Sequence, residues 1–251
     1  MITRVLKIGG HQVDDAAFLT GLGEVVAGLE APPVIVHGGG KEIAALQRRL
    51  GLQPRFIEGL RVTDKESLAV AEMVLSGRVN KRLVVALLRA GVQALGLSGV
   101  DLGLVRVERL TLPGGDLGRV GRPVAVRAEV LRTWLAQGIV PVLSPISLGA
   151  DGPYNVNADQ VAAAVAVALK AEEMVFVTDV PGVLMDGTLL PELTPAQARR
   201  LIEQEVIAGG MVPKVRAALE GLEQGVRQVR ITNLDGLRTG QGTRVTPQPG
   251  A

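Results

Sequence analysis

Apolar residues in this chain follow two rhythms. Short β-branched runs closed by glycine predict buried strands, and longer stretches with apolar residues three or four apart predict helices. Residues 5–8 form a first strand that stops at Gly9 and Gly10. Asp14 and Asp15 then lead a helix through Val26. Residues 34–36 form a second strand, ended by His37 and the triple glycine 38–40, before a helix over 41–50. Thr63 with Glu66 three residues on predicts a capping box. The long helix it opens runs to about Val74, breaks at Gly77 and resumes over 80–89.

Further strands are expected over 94–97, 104–110, 123–126, 139–143, 174–177 and 229–231, with an edge strand over 243–245. The turn at 113–116 makes 104–110 and 123–126 a hairpin. Helices are expected over 128–137, 158–169, 194–204 and 212–222, with Asn157 capping the second. That second helix is apolar all round, which predicts burial on every side. Such alternation argues for an α/β fold: an αβα sandwich of three layers around an open, mostly parallel sheet. No repeat or long linker interrupts it, so residues 1–251 are expected to form one unit, with two lobes meeting near residue 170.

Composition narrows the chemistry. Hydrophobic residues make up 47% and charged residues 21%, which describes a folded chain with an ample core. Aromatics are only 2%, too few for the stacking platforms of single-stranded nucleic-acid binding, and no nucleic-acid partner is expected. The net charge of +2 is not gathered into any basic block. No cysteine is present and only His11 and His37 are histidines, so thiolate nucleophiles are excluded and a multi-histidine metal site is not expected. The longest apolar stretch, 161–169, is far too short to span a bilayer, and no leader is expected ahead of the first strand. A cytoplasmic protein without a membrane partner is expected.

The two strand ends at Gly9–Gly10 and Gly38–Gly40 bring bare backbone N–H groups together, as in a phosphate cradle. Lys7 lies inside the first of these otherwise apolar strands, and an anion at the strand end is the simplest reason for it. Neither GxxxxGK[ST] nor GxGxxG occurs. Lysine is scarce, six against 21 arginines, so its positions draw notice. Lys214 falls in the first turn of a helix entered through Gly209 and Gly210, where a cation opposes the helix dipole unless an anion is bound. Asn155, Asn157 and Asp159 exceed what one helix cap requires. Arg61, just ahead of a helix, is suited to gripping a carboxylate, although a lone arginine is more often a surface residue. Residues 178–184 could wrap a nucleotide with backbone groups or form a simple strand-to-helix turn.

In order, the segments KIGG, VHGGG, GLRVTD, GRVNK, GLSGVD, DLGRVG, YNVNADQ, VTDVPGVL and GGMVPKV, closing with GTRV, span nearly the whole chain. They make it similar to the amino-acid kinase superfamily, most closely to the branch that phosphorylates N-acetyl-L-glutamate in arginine biosynthesis. The resemblance implies ATP-dependent transfer to the γ-carboxylate, with Mg²⁺ carried by the ATP phosphates and no metal held by the protein. By resemblance, Lys7 and Lys214 would flank the transferring phosphoryl group and Asp159 would hold both. Gly9 and Gly10 would donate to phosphates. Gly39, Gly40, Arg61 and Asn155 would bind the acyl amino acid, with Arg61 on its α-carboxylate. Asp179, Val180, Pro181, Gly182, Val183 and Leu184, with Ile207, Ala208 and Gly209, would hold the nucleotide. The N-lobe, to about residue 170, would take the acceptor and the C-lobe the nucleotide.

A carboxylate acceptor is already ionised at neutral pH, so the lack of general bases fits this chemistry. Kinases of carrier-linked aminoadipate share the fold and most motifs, and carbamate, aspartate and uridylate kinases match the middle segments less well. An idle nucleotide- or amino-acid-binding relative would have no need to keep both lysines. The resemblance further implies an arginine-insensitive homodimer with the helix around 67–80 in its interface. Nothing in the sequence supports a nitrogen-signalling protein partner.

Overall fold

The computed structural model describes residues 3–247. Strands β1 (Arg4–Ile8), β2 (Val34–His37) and β10 (Glu173–Val177) lie side by side and parallel at the centre of an eleven-stranded sheet, with β1 in the middle. Strand β14 (Val229–Thr232) continues the sheet beyond β10, followed by β15 (Thr243–Val245) and the two-residue β13 (Glu192–Leu193). On the other flank β8 (Val140–Gly149) pairs β2, and β5 (Ala94–Gly99) pairs β8, both in parallel. The far half of β8 has further partners. It joins the predicted hairpin of β6 (Val105–Arg109) and β7 (Val120–Val126) and the return strand β9 (Gly152–Val156).

Strand alternation divides the core between the two faces of the sheet. Val5, Val34, Val36, Met174 and Phe176 join one apolar cluster, and Leu6, Ile8, Ile35, Val175 and Val177 the other. The first face is covered by α5 (Ala128–Ala136), α6 (Ala158–Leu169), α7 (Pro195–Glu203) and α8 (Met211–Glu223). The second is covered by α1 (Ala16–Ala27), α2 (Gly40–Arg49), α3 (Lys65–Glu72), α4 (Asn80–Arg89) and α9 (Leu234–Thr239). Three layers around an open, mostly parallel sheet are thus present as the sequence predicts.

Several local expectations are corrected. The cap of α3 is Asp64, whose side chain accepts from Ser67 N–H, while Thr63 turns inward and donates to the Arg61 carbonyl. Gly77 does not break the helix: Met73–Val79 is a π-helical turn that links α3 to α4 without interruption. Strand β15 is not the sheet edge, because β13 pairs outside it. Helix α6 is not buried all round, since Val167 faces solvent. Strand β9, helix α9 and the small hairpin of β11 (Leu184–Met185) and β12 (Thr188–Leu189) were not legible in the apolar pattern. Each is too short, or too polar, to show a period.

Candidate active site

Because β1 and β2 are parallel neighbours in register at Ile8 and His37, their glycine-bearing ends emerge together at the carboxyl edge of the sheet. Gly38 N–H donates to the Ile8 carbonyl at 3.0 Å, fastening one loop to the other. A methyl group on Gly10 would lie 3.0 Å from Gly39 N and 3.2 Å from Gly40 N, so bare backbone is required where the loops touch. Strand β1 has β2 on one side and β10 on the other, and in open α/β sheets a crevice of this kind is where ligands bind.

Lys7 shares a face with Val5, which aims its side chain at α6. Its ammonium lies 2.8 Å from Asp159 Oδ1 in the first turn of that helix and 5.7 Å from the centre of the Phe176 ring. Both partners are largely shielded from solvent. Asn157 caps α6 through the Asp159 N–H, at 2.7 Å, which fixes where the carboxylate starts.

Lys214 comes to the end of the neighbouring strand. It donates to Thr178 Oγ1 at 2.5 Å and lies 3.3 Å from Asp179 Oδ1. Hydrogen bonds from Thr178, the backbone and Lys214 hold the Asp179 carboxyl below the usual carboxylate range. Asp159 therefore engages Lys7 alone here, and the counter-charge of Lys214 is Asp179, which corrects the expectation that one aspartate holds both lysines. Two cations thus sit at adjacent strand ends beside the glycine loops.

A cavity of about 190 Å³ opens next to them, lined in part by Gly39, Gly40, Arg61, Leu75, Asn155 and Asn157. The four predicted acceptor-binding residues meet there. Arg61 is carried by the hairpin of β3 (Phe56–Ile57) and β4 (Leu60–Arg61), whose turn places both Glu58 (φ 49°) and Gly59 (φ 78°) in the left-handed region. The guanidinium stacks 4.8 Å from the Phe56 ring and donates to the Gly40 carbonyl at 2.9 Å. Burial and the nearby Arg48 lower its pKa, and among the described residues no carboxylate pairs with it. Asn155 donates to Thr63 Oγ1 at 3.2 Å, tying β9 to the end of the hairpin.

Of the predicted nucleotide residues, Gly9 and Gly10 stand in the cradle, while Asp179, Pro181, Leu184, Ala208 and Gly209 form an exposed rim, with Val180 half-buried beside it. Gly182, Val183 and Ile207 lie beneath this rim. Val183 donates to Thr243 Oγ1 and accepts from Leu190 N–H, and Ile207 donates to Leu201. The backbone N–H groups of Val183 and Ile207 are spent on the fold, so these two support the loop and do not line it. Sequence reasoning missed Gln47 and Ser67, read Thr63 only as a helix cap and Thr178 only as part of a possible nucleotide-wrapping stretch; all four are polar residues that hold the site together. Thr178 carried a signal, a hydroxyl at the end of an apolar strand. Gln47 carried none, since it falls in a helix beside two exposed arginines. Among the described residues no group of three or more acidic or histidine side chains could hold a metal ion.

The model of the amino acid kinase family matches residues 3–233. The acetylglutamate kinase of Roseiflexus sp. (strain RS-1) is 58% identical over 243 residues, covering 97% of this chain and 93% of that protein. Among solved structures, smu.665 from Streptococcus mutans UA159 is 31% identical with a TM-score of 0.78, covering 98% of this chain and 99% of that one. An N-acetylglutamate synthase from Neisseria gonorrhoeae, complexed with coenzyme A and N-acetyl-glutamate, is 28% identical with a TM-score of 0.84. It covers 98% of this chain and 60% of the synthase.

Proposed function

The chain belongs to the amino acid kinase family, and we propose that it transfers the γ-phosphoryl group of ATP to the γ-carboxylate of N-acetyl-L-glutamate in arginine biosynthesis. The observation that carries this reading is Arg61: a half-buried cation with no carboxylate partner among the described residues, in a cavity sized for a small acyl amino acid and set beside the Lys7–Asp159 pair. A guanidinium so placed is complementary to the acceptor's α-carboxylate.

In this reading the residues up to about 170 hold the acceptor and those beyond hold the nucleotide. One oxygen of the ionised γ-carboxylate attacks the γ-phosphorus while the bond from that phosphorus to the β,γ-bridging oxygen breaks. The electron pair leaves with ADP, and the product is an acyl phosphate. No proton has to move, so the chain's work is positioning and charge neutralisation. Lys7 and Lys214 meet the equatorial oxygens, Gly9 and Gly10 donate N–H groups, and Asp159 keeps Lys7 in place. Lys214 exchanges Thr178 and Asp179 for phosphate when ATP binds. The donor set suits a Mg²⁺ carried in on the ATP phosphates, since Asp159 and Asp179 are each engaged by a lysine. That ion would supply further charge neutralisation.

Two copies are proposed to pair across the helical run 65–89, which leaves Met73, Val85 and Leu88 exposed. Among the described residues no helix is long and apolar enough to cross a membrane, and the enzyme is proposed to work in the cytoplasm.

The test is ADP release from MgATP with N-acetyl-L-glutamate, with hydroxylamine trapping the acyl phosphate. N-acetyl-aminoadipate, carbamate and UMP are run in parallel. Turnover with N-acetyl-L-glutamate, lost in Lys7→Ala and Lys214→Ala, is expected. Turnover only with another acceptor would overturn the substrate assignment.

A further inference from the structure

Gln47 is almost wholly buried, at 1% exposure, although it lies on a helix between half-buried Leu46 and exposed Arg48. Its amide bridges two elements. Nε2 donates to Ser67 Oγ at 2.9 Å, and Oε1 accepts from Arg61 Nη1 at 2.5 Å. A guanidinium has no acceptor, so only the amide oxygen can face Arg61. Ser67 receives the amide nitrogen and is itself anchored, its N–H bonded to Asp64 Oδ1 at 2.8 Å.

The fork of Arg61 is therefore fixed by two neutral oxygens: Gln47 Oε1 on Nη1 and the Gly40 carbonyl on Nη2. Two of its five N–H groups are used and three remain. Neither partner carries charge, so the full positive charge of the guanidinium is left to a ligand. A carboxylate at position 47 would have held the arginine equally well and cancelled it.

We propose that Gln47 is a positioning residue for acceptor selection: it orients the Arg61 fork through a neutral contact so that the site discriminates an α-carboxylate from an uncharged α-substituent. This rests on the reading that Arg61 meets the acceptor's α-carboxylate.

The test compares N-acetyl-L-glutamate with its α-carboxamide, N-acetyl-L-isoglutamine, which keeps the reacting γ-carboxylate. The ratio of kcat/KM for the two acceptors measures the discrimination. In Gln47→Glu the ratio is expected to fall at least tenfold, through a higher KM for acetylglutamate, with kcat and the KM for MgATP within twofold of wild type. Gln47→Met keeps volume and removes both hydrogen bonds, and it is expected to lower the ratio severalfold. A purely structural role would weaken both acceptors alike and leave the ratio unchanged. If Arg61→Ala keeps the wild-type ratio, the carboxylate assignment to Arg61 is overturned. If Arg61→Ala abolishes the preference while both Gln47 variants retain it, the role of Gln47 is overturned.

Discussion

The ammonium of Lys7 lies 2.8 Å from Asp159 Oδ1, yet this buried oxygen receives no aligned hydrogen bond. The pair is held by charge and by the rigid strand and helix that carry it, which leaves the lysine's donors free for an anion. Asp159→Asn keeps the volume and removes the charge that places Lys7. It is expected to lower kcat by on the order of 10²-fold, and Lys7→Ala by 10²- to 10³-fold, about the size of losing one donor to a transition-state oxyanion. Steady-state kinetics check this. The melting temperature should fall as well, because either change strips a largely shielded charge of its partner.

The two glycine loops should differ in their tolerance of a methyl group. On Gly39 it would meet the end of the Leu75 side chain at 2.7 Å and Val79 Cγ2 at 3.3 Å. On Gly10 it would meet only backbone. Overpacking costs about 1–3 kcal/mol where neighbours cannot move. Gly10→Ala is therefore expected to raise KM for both substrates. Gly39→Ala should affect the acceptor alone and be partly rescued by Leu75→Ala, as initial-rate measurements would show.

His37 should make the fold sensitive to acid. It is fully buried; Asn80 Nδ2 lies 3.2 Å from its Nε2, so Nδ1–H donates to the Gly38 carbonyl at 3.0 Å. Burial pushes its pKa down to about 4. The unfolded chain thus binds a proton near pH 6.5 that the folded chain refuses until about pH 4. Stability is full above pH 6.5 and is lost as pH falls toward 4, by about 3 kcal/mol from this group. Urea midpoints across this range should fall less steeply in His37→Gln than in wild type.

Glu173 should matter to the fold and not to the chemistry. At the first residues of β1 and β10, far along the strands from the glycine loops, Glu173 Oε1 accepts from Arg230 Nη2 at 2.8 Å and Arg4 Nε at 2.9 Å. Arg230 is 2% exposed. Removing the carboxylate leaves a buried guanidinium uncompensated, which costs about 3–5 kcal/mol. For a chain of this size that corresponds to a melting temperature lower by about 10 °C. Thermal melts of Glu173→Gln check it, with kcat at low temperature expected to stay near wild type.

Local pattern carried most of the architecture. The β-branched runs before Gly9 and Gly38 placed two central strands, and their β-period already put Lys7 on the opposite face from Leu6 and Ile8. The capping box of α7, Thr194 with Gln197, formed as the expected helix start. At Thr63 a similar pattern misled, because Asp64 next to it is the stronger acceptor and Thr63 was drawn inward toward Asn155. Gly77 misled in the other direction: packing of Leu75 and Val79 against Gly39 accompanies a π turn where local propensity predicts a stop.

By itself, the sequence determined the layered fold, the loops at the strand ends and the residue types of the site. These follow from interactions along a few consecutive residues, which a period or a cap records. Only the tertiary structure decided how the charges are shared out: Asp159 with Lys7 and not Lys214, Asp179 with Lys214, and neutral Gln47 with Arg61. Those pairings join residues 14 to 152 positions apart. They are set by strand register and helix placement, which no local pattern encodes.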